Sequence, residues 1–163
     1  MNISPKELQE NIFKLIEDDW MLITSGNKAK ANTMTASFGG FGVFCFKNVA
    51  HIYVRPERFT YEFLEKNDTF SLSFFDVKYK EKLAYCGKVS GKDEDKIKKC
   101  NFSLKFTDDE TPYFDEAKLT IICKKMYAQD INPDCFIDKD AFNRTYSNGG
   151  MHKMYIGEIL KIF

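Results

Sequence analysis

Asn32-Thr33-Met34-Thr35-Ala36-Ser37-Phe38-Gly39-Gly40 decides the reading of this chain. Thr33, Thr35 and Ser37 fall on one face of an alternating pattern, and Met34, Ala36 and Phe38 fall on the other. A period of two is the signature of a β-strand. Small hydroxyl residues and terminal glycines let backbone N–H groups come close to a flat polar ligand. The same pattern also suits a Thr-rich edge strand facing water. Gly39-Gly40-Phe41-Gly42 ends the strand on this reading.

Working outward, Trp20 to Thr24 is an apolar run expected to form a buried strand, and Ser25 to Ala31 a turn. Val49 to Val54 alternates again and stops at Arg55-Pro56, since proline cannot continue a central ladder. Thr69–Phe75, Ala117–Met126 and Met151–Phe163 are further strand candidates. Ser4, Pro5 and Glu7 form a capping box ahead of a Leu8, Ile12, Leu15/Ile16 stripe, which predicts a helix over 4–16. Thr60 is placed to cap a short helix ending at Asn67. Lys80–Cys86 is expected to be helical with Gly87 as a left-handed stop, and Asp93–Cys100 to be a charged helix. Residues 127–150 form the longest irregular stretch, broken by Asn132-Pro133-Asp134 and Asn148-Gly149-Gly150, and are expected to shape substrate access. Six or so strands with interrupting helices predict a mainly β fold with flanking helices, closed as an antiparallel barrel.

The composition narrows the function classes. A length of 163 residues suits one domain over 1–163, burying roughly 68–70% of its unfolded surface. Lys plus Arg (24) balances Asp plus Glu (24), which argues against nucleic acid and anionic membranes as partners. No apolar run approaches the ~18 residues of a membrane span, and Met1–Glu7, with no basic region followed by an apolar run, is not expected to form a secretory leader. The five cysteines contain no C-x-x-C and are odd in number, so neither a fully paired disulfide framework nor a zinc site is expected. These features together predict a cytoplasmic protein with no metal.

Familiar chemical motifs fail. Gly91-Lys92 lacks the upstream glycine and the following Ser/Thr of a Walker loop, and Cys45 stands where a dinucleotide fingerprint needs its third glycine. No Gly-x-Ser-x-Gly elbow is present. Two other segments carry anion chemistry. Arg55, Arg58 and Thr60 lie at the mouth of a strand ahead of a helix, where guanidinium and N–H donors suit phosphate. Ser90, Gly91 and Lys92 form another anion-suited loop. Solvated turns with surface ion pairs would read the same way.

Taken in order, Asn-Thr-Met-Thr-Ala-Ser-Phe-Gly-Gly (32–40), Val-Ala-x-Ile-Tyr-Val-Arg-Pro-x-Arg-Phe-Thr (49–60), Phe-Ser-Leu-Ser-Phe-Phe (70–75) and Cys-Gly-x-x-Ser-Gly-Lys-Asp-x-Asp-Lys (86–96) resemble the flavin reductase-like family. This is the FMN-binding split-barrel group, which includes flavoredoxin-type proteins. The resemblance implies a six-stranded antiparallel Greek-key split barrel, a homodimer, and FMN bound near the subunit interface. Asn32, Thr33, Met34, Thr35, Ala36, Ser37 and Phe38 would run along the flavin ring and ribityl chain. Arg55, Arg58 and Thr60 would hold the phosphate, with Ser90, Gly91 and Lys92 on the ribityl–phosphate side. Phe38 stands where relatives carry Trp, keeping the aromatic face and losing the indole N–H. His152 is the candidate catalytic residue, with a structural strand histidine as the alternative. The resemblance further implies an oxidoreductase that takes electrons from NAD(P)H, or else an electron-transfer flavoprotein that exchanges them with a redox protein partner. The length leaves no room for a separate nicotinamide domain, so NAD(P)H is expected to stack transiently over the flavin.

Overall fold

A computed structural model describes residues 3–163. One seven-stranded antiparallel sheet dominates it: β1 (Met21–Gly26), β2 (Ala31–Ala36), β3 (Gly39–Phe44), β4 (Lys47–Val54), β5 (Thr69–Phe74), β8 (Leu119–Asp130) and β9 (Lys153–Ile162), in the order β2-β1-β5-β8-β9-β4-β3. The remaining strands, β6 (Leu104–Phe106) and β7 (Pro112–Phe114), form a separate hairpin. Helices flank the sheet: α1 (Phe59–Lys66), α2 (Lys80–Lys88), α3 (Lys96–Lys99) and α4 (Lys139–Tyr146). No helix of the described residues is long and apolar enough to cross a membrane.

The strand count exceeds the expected six because Gly39–Phe44 begins a strand where it was expected to end one. Gly39 and Gly40 pair with Ile52 and His51 on β4. β2 and β3 are consecutive in sequence yet occupy opposite edges of the sheet, so the curled sheet stays open between them. Ser37 and Phe38 bridge this split.

Two cores explain the strand sequences. Met21, Ile23, Met34, Ile52, Phe70, Leu72, Phe74, Ile121 and Tyr155 pack inside the sheet. Leu22 points the other way, into a second cluster with Phe75, Leu83, Cys86, Cys100, Phe102 and Phe114. β1 is thus buried on both faces, which is why it reads as an unbroken apolar run. On β5 the serines lie on the face opposite the phenylalanines, and Ser71 Oγ donates to Pro112 O at 2.6 Å.

Several local expectations are corrected. The Ser4 capping box is present, with Ser4 N donating to the Glu7 carboxylate at 2.7 Å, but it opens only a 3-10 turn over Pro5–Glu7. The apolar stripe continues into a π-helix over Lys14–Asp19, which buries Leu15 and Ile16. Gly87 is not a left-handed stop, since the helix runs through it to Lys88 and its φ is not positive. A Cβ at Gly87 would stand 3.3 Å from Thr35 Cβ, so the glycine serves the close approach of α2 to β2. Arg58, not Thr60, occupies the N-cap of α1. The charged helix after Asp93 shrinks to Lys96–Lys99, capped by Asp95. The stretch 127–150 is largely ordered, because β8 extends to Asp130 and Asp138 caps α4 by accepting from Asp140 N and Ala141 N.

Candidate functional site

The split between β2 and β3 opens onto a cleft of about 400 Å³. Met34, Thr35, Ala36, Ser37 and Phe38 form one wall; Tyr53, Arg55 and Arg58 line it from the end of β4 and the following turn; Arg144, Thr145 and His152 come from α4 and the start of β9. The chain has three arginines in all, and every one lines this cleft. No carboxylate of the described residues lines it. Such a wall is made for an anion, because guanidinium supplies fixed, paired N–H donors. Phe38 is 51% exposed, an unusual state for a phenylalanine and a ready stacking face. β2 is an edge strand, so one row of its backbone groups is free of ladder partners.

Local chemistry fixes each cation. Arg58 donates to Gly87 O at 2.8 Å and to Cys86 O at 3.4 Å, which ties the end of α2 to the start of α1. Burial lowers its pKa from the ordinary arginine value. Arg55 donates to Thr145 O at 3.0 Å and lies over the Tyr146 ring at 5.8 Å, so it anchors α4 against the cleft. Each of these two guanidiniums uses only part of its five donors on carbonyls, and the rest have no partner among the described residues. Arg144 is exposed and makes no hydrogen bond or ion pair among the described residues.

His152 is buried, and its Nδ1 lies 2.8 Å from the Tyr146 hydroxyl. Its ring stands 5.8 Å from Phe38 and 5.5 Å from Tyr146, centre to centre. Burial, then the Arg55 charge, lower the His152 pKa and favour the neutral imidazole. Burial likewise raises the Tyr146 pKa, keeping the phenol protonated.

The other expected residues lie elsewhere. Asn32, Gly91 and Lys92 line a second, larger groove of about 600 Å³ together with Phe59 and Lys96. Arg58 lines the first opening and its neighbour Phe59 the second. Lys92 pairs with Glu62 at 2.7 Å and lies 5.4 Å from the centre of the Phe59 ring. Lys92 also lowers the Glu62 pKa. Ser90 lines neither opening, and its hydroxyl accepts from Lys92 N at 3.2 Å. Thr33 and Thr60 are fully buried. Thr33 pairs with Thr24 at 2.9 Å and donates to Ile23 O, while Thr60 Oγ1 accepts from Asn32 Nδ2 at 2.8 Å. Thr35 spends its hydroxyl on Leu83 O. The threonine hydroxyls of β2 are therefore spent on β1 and α2, although Thr35 still lines the cleft with Met34, Ala36, Ser37 and Phe38.

Three neighbours escaped the sequence reading: Arg144, Tyr146 and Lys96. The first two ride on α4, whose signal was legible in Asp138 as a cap and Phe142/Tyr146 at helical spacing. Lys96 is buried with its ammonium on Cys86 O at 2.8 Å and Val89 O at 2.9 Å, and burial with the Arg58 charge brings its pKa down to about 8. Nothing in a charged run marks one lysine for burial.

The fold has well-matched counterparts. A flavoredoxin from Methanosarcina acetivorans superposes with a TM-score of 0.71 at 21% identity, covering 99% of this chain and 75% of that one. An FMN-binding protein from Thermus thermophilus gives 0.69 at 16% identity, covering 99% of this chain and 78% of that one. An NADH:FAD oxidoreductase from Streptomyces globisporus gives 0.65 at 14% identity, covering 89% of this chain and 74% of that one. These likenesses establish the architecture as the flavin reductase-like split barrel, mainly β with flanking helices. Among curated proteins nothing matches the sequence. The model of the flavin reductase like domain matches residues 15–163, and with nearly the whole chain so covered, this protein belongs to the flavin reductase-like family.

Proposed function

We propose that the chain binds FMN with its ring beside Phe38 and acts as an NAD(P)H-dependent oxidoreductase of flavin reductase type. The observation that carries this reading is the cleft at the split, which joins an exposed aromatic face to all three arginines and no acid. That donor set fits a flat ring with an anionic tail. When bound, FMN supplies hydride and electron transfer through its ring, and the protein supplies orientation and electrostatics.

The roles of the residues follow from their placement. Met34, Ala36, Ser37 and Phe38 position the ring, with Thr35 holding β2 to α2 behind it. Arg55 and Arg58 offer their remaining N–H donors to phosphate. Asn32, Gly91 and Lys92 flank the second groove, which is where the ribityl–phosphate side extends in this reading. Ser90 shapes the Lys92 backbone, while Thr33 and Thr60 support β2 and Asn32 from behind. His152 stays neutral and serves as a hydrogen-bonding group rather than a cation. The chain acts as a homodimer in the cytoplasm. A groove lined by Ile12, Phe13, Ile16, Phe38 and Phe41 adjoins the cleft, and Phe13 is 83% exposed, which supports a second copy closing the site.

The alternative is an electron-transfer flavoprotein, which shares the flavin site and needs no nicotinamide. Stopped-flow mixing of FMN-loaded protein with NADH or NADPH separates them. Bleaching of the flavin within seconds supports the reductase. Loaded protein that stays oxidised with both nucleotides refutes it and leaves electron exchange with a protein partner.

A further inference from the structure

The Tyr146–His152 pair carries an inference about how the cleft is wired. Tyr146 is 8% exposed, and its hydroxyl has one side-chain hydrogen-bond partner among the described residues, His152 Nδ1 at 2.8 Å. A phenol has one proton to donate. If Nδ1–H donated to the phenol oxygen, the buried phenol proton would have no acceptor. The arrangement that leaves no buried donor unspent is Tyr146 O–H to Nδ1, which puts the imidazole proton on Nε2. Nε2 makes no hydrogen bond among the described residues, and it is not among their buried unpartnered atoms, so it opens toward the cleft that His152 lines.

We infer that Tyr146 is a positioning residue that holds His152 with its proton on Nε2, so that the cleft is given an N–H donor beside its arginines. The charged and titratable groups around the pair act in the same direction. Arg55 lies over the Tyr146 ring and disfavours an imidazolium next to it, while its bond to Thr145 O holds α4 in place. Glu57 favours the imidazolium, but more weakly than burial and Arg55 oppose it. The result is a donor of fixed direction in a wall that already selects acceptors. The ligand it suits presents an oxygen or ring-nitrogen acceptor near an aromatic face. Identifying that ligand as flavin rests on the function proposed above; the assignment of the proton does not.

The test reads the proton directly. The chain has two histidines, so long-range proton–nitrogen NMR of 15N-labelled protein at pH 7.5 gives two ring patterns, and His51→Gln assigns them. His152 should show a protonated Nε2 and an unprotonated Nδ1. Tyr146→Phe keeps the ring and removes the proton donor, and should convert His152 to averaged tautomers while the His51 pattern stays unchanged. A His152 protonated on Nδ1, an imidazolium at pH 7.5, or a Tyr146→Phe pattern identical to wild type would each overturn the inference. FMN titration of the same samples keeps the two claims apart. A protein that shows the Nε2–H pattern but takes no flavin supports this inference and refutes the flavin reading.

Discussion

Replacing Gly91 with alanine tests whether the loop before α3 is moulded onto β2. The new methyl would stand 2.0 Å from Asn32 Oδ1, 2.9 Å from Asn32 Cγ and 3.0 Å from Phe59 Cδ1. No carbon–oxygen contact survives at 2.0 Å, so either the loop lifts or Asn32 turns away. Asn32 is 5% exposed, and turning it breaks its 2.8 Å bond to the fully buried Thr60 hydroxyl. Because a buried group is left without its partner, the cost is its desolvation, about 1–3 kcal/mol, and not the smaller net worth of an exchanged hydrogen bond. The expected destabilisation of Gly91→Ala is therefore about 1–3 kcal/mol. Its backbone adds no strain, since Gly91 does not have a positive φ. Urea denaturation of flavin-free protein, followed through Trp20 as the sole tryptophan, measures the change without ligand linkage. Asn32→Ala removes the obstructing atoms, so the double variant should be destabilised by about 1 kcal/mol or more less than the two single effects added together. A Gly91→Ala variant within about 0.5 kcal/mol of wild type, or strict additivity with Asn32→Ala, would refute the reasoning.

Three further outcomes follow from other parts of the molecule. Lys92→Ala should weaken FMN binding by about 1–3 kcal/mol if Lys92 exchanges Glu62 for the phosphate, and should leave riboflavin affinity unchanged; equal losses for both ligands would remove the phosphate from its role. Lys96 releases its proton near pH 8 in the folded protein and near its ordinary 10.5 in the unfolded chain, so the unfolded state binds more protons in that interval. Wild type should accordingly gain stability relative to Lys96→Met as pH rises from about 8 to 10.5, and a pH-independent difference would show that no such shift exists. Cys45 and Cys135 are exposed whereas Cys86, Cys100 and Cys123 are buried, so a chromogenic disulfide reagent should titrate two thiols rapidly in native protein and five in denaturant. Rapid labelling of a third would contradict the burial of Cys86, Cys100 and Cys123.

β4 was legible by its alternation because Ala50, Ile52 and Val54 are buried on one face, and β1 because both of its faces are buried. β2 and β5 were legible because small hydroxyl residues alternate with apolar ones, although both faces are buried. What sequence concealed was the use of each hydroxyl and each glycine. Thr33 and Thr35 alternate as a ligand-facing stripe would, yet the stripe meets α2 and β1, and nothing in a period of two says which face meets the ligand. Gly39 and Gly40 read as a terminator, but they start an edge strand, since glycines allow a chain to turn and do not dictate whether it pairs afterwards. Gly87 read as a stop and is a packing glycine. Sequence spacing did not show that Arg55 and Arg58 share one cleft with Arg144 while Lys92 lines a second groove with Phe59. Arg144 and Tyr146 were hidden behind Asn132-Pro133 and Asn148-Gly149-Gly150, whose turn signals are real but bracket a helix.

Equilibrium titration of FMN with purified protein, followed by quenching of the flavin fluorescence, tests the cleft at the split most directly. Saturable binding at one FMN per chain is expected, tighter than riboflavin and weakened by Arg55→Met and by Arg58→Met. Flavin fluorescence that stays unchanged at saturating protein, or binding indifferent to both substitutions, would contradict it.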